Sequence, residues 1–452
     1  MSTHILPSAL SVGRAIETGE TDPRALVEDL TDRIAATDPD HRIFYRLTLD
    51  RARMEADAAH TRAKAGLRRS PLDGVPLSWK DLFDSAGDET TAGSKMLSGR
   101  IPAHDAAALV RMTMAGTVCI GKTAMTELAF SGLGINPVYG TPANAHDTTI
   151  ERVPGGSSSG AGVSLARGLC TASIGTDTGG SVRIPAAFNG LVGFKPSHGR
   201  IPTTGLVPLC PSLDTIGPLT RDVADAAALF TLMAGGKPIG IEDETLRGRT
   251  VIVPKDIVLD GMAPDIARIF EASISALGAD GLSVDMSPVE EISATNALTW
   301  DSGISLAAVE AWAIWGDTIK KSGGLMYPPV RARFESGATP DAAETWHMLR
   351  TRDALRHSLT QTLAGVDAVV MPTIPIDPPP IADLEAGGPA YDRANRLTLR
   401  NTTLGNQLDM CAITLPIGKS DAGLPVGLML MAPRGRDARL LRLARAVEKA
   451  LT

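Results

Sequence analysis

A chain of 452 residues that is 43% hydrophobic and 21% charged carries too much apolar side chain to be disordered, and it is long enough for two domains or one large single-sheet α/β unit. Its 44 basic and 51 acidic residues leave a net charge of −7, with no basic tail or polybasic helix, so the electrostatic footprint of a nucleic-acid partner is missing. No stretch approaches the roughly 20 apolar residues of a membrane span, and the first residues lack the apolar core of a secretory signal; no membrane partner and a cytoplasmic location are expected.

Along the chain, Thr21, Asp22 and Pro23 read as an N-cap followed by a proline in the first helical turn, with Leu26, Leu30 and Ile34 recurring at helical spacing. A second helix is expected over Leu49–Lys64, so that residues 1–65 read as helical throughout. From 72 to 219 short apolar segments alternate with Gly, Pro, Ser and Thr turns. Strands are expected there at 74–79, 117–121, 171–175 and 191–194, with a small-residue helix at 161–167. The region 237–362 mixes helix and strand signals without a site-like cluster and reads as a variable, substrate-side region. Strand texture returns at 367–371, 412–415 and 426–430, before an amphipathic helix over Asp437–Leu451. No flexible linker separates these parts. The expectation is one α/β domain over 1–452: N-terminal helices at 1–65, a catalytic core at 66–236, the substrate-side region, and C-terminal elements at 363–452 completing a central mixed β-sheet with helices on both faces.

Cys119, Cys170, Cys210 and Cys411 are far apart, in apolar or turn contexts, with no C-x-x-C pair. They read as packing thiols rather than disulfides or a zinc site, and with scattered histidines and no H-E-x-x-H, neither a metal nor a cofactor is expected.

The segment GGSSSG at 155–160 has three readings: a flexible loop, a G-x-S-x-G nucleophile elbow with Ser158 attacking, or half of a bipartite site. An elbow should directly follow a strand, whereas Glu151, Arg152, Val153 and Pro154 precede this one. The other half would be DTGGS at 177–181, which follows an apolar run and precedes a helical one. Such a strand, turn and helix lines up backbone N–H groups that suit an oxyanion, or equally a phosphate, although the P-loop order is absent. A serine nucleophile needs a base. Lys80, ending the segment GVPLSWK, is the candidate, because burial at a strand end lowers a lysine pKa. No S-x-x-K occurs, which removes the penicillin-recognising serine–lysine hydrolases as a source of the pairing.

The pieces PLDGVPLSWKDLFD, TTAGS, GKTAMTELAFSGLGINPVYGTPAN, VPGGSSSG, GTDTGGSVRIPAAFNGLVGFKPSHGRIP and SLDTIGPLTRDVADAA occur in this order. In order and spacing they resemble the amidase signature family, and the likeness extends over nearly all of the chain. The resemblance implies a Ser–Ser–Lys triad of Ser181 as nucleophile, Ser157 as bridge and Lys80 as base, with a cis peptide at Gly156–Ser157. It implies an oxyanion hole from the amides of Thr178, Gly179, Gly180 and Ser181, and supporting roles for Ser158, Asp177 and Arg183. It also assigns Met125, Ala129, Phe130, Ser131 and Gly132 to the substrate pocket, where Leu128 and Leu133 would favour an apolar acyl group. The expected activity is hydrolysis of a small-molecule amide, with homodimer formation left open. The alternative is the glutamine-hydrolysing subunit of a tRNA-dependent amidotransferase. Two departures from the family pattern, Ala124 and Asp409-Met410-Cys411, are expected to reshape the pocket without touching the triad.

Overall fold

A computed structural model describes residues 6–242 and 244–451. Among the described residues eleven strands join in one mixed sheet: β1 Phe44–Leu47, β2 Pro76–Lys80, β3 Val118–Thr123, β4 Ala172–Asp177, β5 Val192–Lys195, β6 Thr215–Thr220, β7 Thr250–Ile252, β8 Ser283–Asp285, β9 Ala368–Pro372, β10 Cys411–Lys419 and β11 Pro425–Ala432. Their order across the sheet is β1-β3-β2-β4-β6-β5-β10-β11-β9-β7-β8. β2 lies parallel to β3 and β4, and β7 parallel to β8 and β9; the remaining pairs are antiparallel. The α/β fold with a mixed sheet is thus the one expected.

Helices cover both faces, which is why β2, β3, β4 and β11 are buried along their whole length, although only β11 reads as a continuous apolar run. Alternation still sorts the side chains. Leu428 and Leu430 join Ala368 and Val370 in one core with helices Val223–Ala234 and Asp437–Leu451, whereas Met429 and Met431 join Val369, Met371 and Leu404 in another. By the same alternation Leu77 and Trp79 enter the first core. Ser78 and Lys80 turn to the opposite face, where Ser78 Oγ meets Ser164 of helix Ser159–Ala166 at 3.3 Å.

A first helix, Ala9–Thr18, precedes the one expected after Thr21, which runs from Pro23 to Thr37 with the Asp22 side chain accepting from the Arg24 amide, as its cap residues predict. One correction falls in this region. β1 interrupts the helices and pairs antiparallel with β3, Phe44 opposite Thr123. A four-residue strand with only Phe44 buried has too few positions to show an alternating pattern, and its partner lies far along the chain.

Candidate active site

Lys80 is the last residue of β2 and is fully buried. Its Nζ lies 2.7 Å from Ser157 Oγ and 2.8 Å from Thr176 Oγ1, and among the described residues it has no carboxylate within ion-pair range. Burial brings its pKa down to about 7, against the upward pull of the more distant Asp214 and Asp177. A lysine set among hydroxyls in this way holds a usable lone pair near neutral pH.

The Gly156–Ser157 peptide is cis. The loop that carries it is tied to the segment after β3: Gly156 N–H donates to the Gly132 carbonyl at 2.7 Å, Thr126 N–H to Ser157 O at 3.0 Å, and Gly160 N–H to Ala124 O at 2.9 Å. The approach is so close that a Cβ at position 156 would stand 2.5 Å from the Gly134 nitrogen, so only glycine fits. Ser158 joins the two Gly-rich segments, its N–H donating to Ser181 O at 3.4 Å and its hydroxyl to Thr176 O at 3.3 Å.

Asp177 ends β4 as a buried carboxylate. It accepts from the Gly180 and Val182 amides at 2.9 and 3.2 Å, from Arg183 Nε and Nη2 at 3.0 and 2.9 Å, and from Asn406 Nδ2 at 2.8 Å. Burial alone would raise its pKa, but the Arg183 guanidinium and these hydrogen bonds outweigh it and hold the carboxyl at about 2. The Gly179 carbonyl accepts from the Thr402 and Thr403 hydroxyls at 2.7 and 3.1 Å. Gly180 has φ 134°, and a Cβ there would sit 2.2 Å from Thr402 Oγ1. Its amide, expected among the oxyanion donors, instead serves Asp177, because the clamp on the Gly179 carbonyl turns that peptide N–H toward the carboxylate. The Thr178, Gly179 and Ser181 amides have no partner among the described residues. Thr178 Oγ1 in turn donates to Asp214 Oδ1 at 2.5 Å, and burial raises the Asp214 carboxyl above its ordinary value.

A cavity of about 270 Å³ opens over this turn, lined by Thr178, Gly179 and Ser181 on one side and Ala129, Phe130 and Ser131 on another. Ser181 is the triad candidate that lines it, whereas Lys80 and Ser157 lie beneath at 0% exposure. Met125 and Gly132 do not line the cavity; their carbonyls hold Asn136 Nδ2 and the Gly156 amide instead. Neither do Ala124 nor residues 409–411, so these departures bear on packing rather than on the cavity wall. Ala124 is sandwiched between Ile43 and Gly160, and Asp409 pairs with Arg356 and Arg434.

Sequence reasoning missed Thr176, Asp214, Thr402, Thr403 and Asn406. Thr176 and Asp214 stand within the GTDTGGS and SLDTIGPLT pieces, which could have flagged them; Thr402, Thr403 and Asn406 carry no local signal. All four cysteines are free and buried. Among the described residues no group of side chains is placed to hold a metal ion, and no helix is long and apolar enough to cross a membrane.

A family model described as Amidase matches residues 25–441. The chain is 34% identical over 430 residues to 2-amino-5-chloromuconic acid deaminase of Comamonas testosteroni, covering 94% of this chain and 92% of that one. It is 33% identical over 462 residues to a glutamyl-tRNA(Gln) amidotransferase subunit of Anaeromyxobacter dehalogenans (strain 2CP-C), with the same coverage of 94% and 92%. A crystal structure of an amidase superposes with a TM-score of 0.88 at 35% identity, covering 99% of this chain and 100% of that chain.

Proposed function

The chain belongs to the amidase signature family of hydrolases, and from that premise we propose that it cleaves a carboxylic acid amide to the acid and ammonia or an amine through an acyl-enzyme on Ser181. The observation that carries this reading is the 2.7 Å contact between the buried, hydroxyl-bound Lys80 Nζ and Ser157 Oγ. Neutral Lys80 takes the Ser157 proton, Ser157 takes that of Ser181, and Ser181 Oγ adds to the amide carbon. The free amides of Thr178, Gly179 and Ser181 stabilise the oxyanion, while Asp177 and Arg183 hold the turn that presents them. The proton returns through Ser157 to the nitrogen, which leaves as an amine rather than as an amide anion. Water then hydrolyses the ester on Ser181 and the relay is restored.

The test is a screen of aliphatic, aryl and amino-acid amides with Ser181→Ala as control, read together with intact mass after rapid acid quench. Turnover and an acyl adduct, both lost in the variant while its circular dichroism is unchanged, support the reading. Turnover that persists in Ser181→Ala overturns it.

A second reading, a glutamine-hydrolysing component that works in a complex, is favoured by the 33% identity to the glutamyl-tRNA(Gln) amidotransferase relative. Amide turnover by the purified chain alone, with other amides preferred over glutamine, separates the stand-alone enzyme from that component.

A further inference from the structure

Helix Pro389–Gln407 brings three side chains from successive turns, Leu399, Thr403 and Gln407, to the wall of the cavity over Ser181. The hydroxyl- and carboxamide-bearing side chains of that wall fall into two groups. Thr178, Thr403, Ser131, Thr299, Ser305 and Ser336 each bond within the protein, to Asp214, the Gly179 carbonyl, Asn395, the Thr295 carbonyl, the Ala308 amide and the Arg333 carbonyl in turn. The Ser181 hydroxyl and the Gln407 carboxamide have no hydrogen-bond partner among the described residues. Ser181 is the proposed nucleophile, which leaves Gln407 to be accounted for. It is only 8% exposed, and the cavity it lines is where its free edge can be met. A polar group buried this deeply without a partner carries a desolvation cost that a ligand recovers by bonding to it.

A carboxamide offers two N–H donors and one carbonyl acceptor. A carboxylate would engage only the donors and an ammonium only the acceptor. A second carboxamide engages both edges at once, whichever way the Gln407 amide is turned. Gln407 stands one turn beyond Thr403, whose hydroxyl holds the Gly179 carbonyl at 3.1 Å, so its backbone lies about 6 Å along the helix from the contact with the oxyanion turn. We infer that Gln407 is a specificity-determining residue that hydrogen-bonds a second, neutral carboxamide on the substrate, so that the preferred substrates are diamides whose near amide meets Ser181 while the far one is held by Gln407. The apolar side chains of Leu209, Leu213 and Leu399 then contact the carbon spacer between the two ends. The inference rests on the proposed amide hydrolysis for its reaction and on Gln407 for its selectivity.

The experiment compares malonamide, succinamide, glutaramide and adipamide with the monoamides in which an isopropyl group of the same shape replaces the far carboxamide, in the wild type, Gln407→Leu and Gln407→Glu. At the spacer that fits best, the wild-type kcat/KM should favour the diamide by about tenfold, the range of two neutral hydrogen bonds, after allowing for its two equivalent scissile ends. Gln407→Leu should abolish that preference, mainly through KM of the diamide, and leave the isopropyl monoamide as good a substrate as before or a better one. Gln407→Glu keeps the shape and an acceptor but loses the donors, and should retain only part of the preference. Equal preferences in the wild type and Gln407→Leu, or an equal loss on both substrates, overturn the inference and show that the glutamine only packs the wall. Calorimetric titration of the same diamides into Ser181→Ala, with and without Gln407→Leu, supplies a readout independent of turnover. Affinity that drops about tenfold with Gln407→Leu supports the inference even if the wild type cleaves no amide, in which case the hydrolase reading alone fails. Amide turnover with neither the substrate preference nor diamide affinity depending on Gln407, or no measurable binding of any diamide, leaves the hydrolase reading standing and sinks this one. Gln407→Glu carries both measurements if Gln407→Leu does not fold.

Discussion

Two lysines on neighbouring strands, Lys80 at the end of β2 and Lys122 on β3, are equally hidden from solvent and meet different partners. Lys122 Nζ lies 3.2 Å from Asp81 Oδ1 and donates to Thr90 Oγ1 at 2.9 Å, so its charge is matched. Lys80 faces two hydroxyls and no carboxylate in contact, and burial drives it to about 7. Burial by itself therefore does not create a base. The absence of a counter-charge does, because a buried ammonium without one is better off neutral.

The largest expected effect breaks the comparison if it fails. Lys80→Met should lower kcat/KM by about 10³-fold or more, in line with loss of a general base and the nucleophile's activation, while near-UV circular dichroism stays native. Lys122→Met should act mainly on stability, lowering it by about 3–5 kcal/mol because Asp81 is left buried and uncompensated; urea unfolding measures this. If Lys122→Met instead lost turnover as heavily as Lys80→Met with its unfolding midpoint unchanged, the two lysines would not differ in kind.

The second effect is on pH. Below about 7 Lys80 is an ammonium that can donate but not accept, so kcat/KM should rise with pH along a limb with an apparent pKa near 7. Stability follows the same sign. The unfolded chain keeps its lysine proton up to about 10.4 while the folded chain has released it, so between pH 7 and 10 the unfolded state binds more protons. Wild-type stability should then rise relative to Lys80→Met across that window, by up to about 1.4 kcal/mol per pH unit. A difference that is flat or falling would show that Lys80 is charged in the fold.

Smaller effects sharpen the picture. Thr402→Val with Thr403→Val removes both donors to the Gly179 carbonyl and should cost about 1–3 kcal/mol of stability or of transition-state binding, read by unfolding and by kcat/KM together. Thr176→Val withdraws one acceptor from the Lys80 ammonium. It should move the acid limb of the pH profile to lower pH by less than about one unit.

How much was legible in the sequence follows from what kind of contact each feature depends on. Lys80 and Ser181 stand in strand-end and Gly-rich segments that mark them as candidates, whereas the choice of Ser157 over Ser158 and the triad roles come only from the resemblance to the family. The strand that carries Lys80 is visible because Val75, Leu77 and Trp79 alternate within one short window. β6 escaped notice because Pro218 sits in its middle and reads as a breaker, although here it lies opposite Ile174 in an antiparallel pair. Thr402, Thr403 and Asn406 were invisible because they act across 223 to 229 positions of chain, from helix Pro389–Gln407, whose amphipathic pattern announces only a helix. Arg333, which lines the cavity with its guanidinium over the Phe130 ring, was hidden for the opposite reason. A charged residue on a short helix reads as a solvated surface position, and only the fold lays it over Phe130.

The clamp from helix Pro389–Gln407 on the Gly179 carbonyl and on Asp177 also bears on synthesis. A ribosome that has delivered only the first 388 residues has already released Lys80, Ser157 and Ser181 of the proposed relay, but neither the threonine hydroxyls nor strand β10, which must zip onto β5. The growing polypeptide therefore completes the proposed site late, when helix Pro389–Gln407 and β10 emerge, and an incomplete translation product carries the serines and the lysine without the frame that holds the turn beside them.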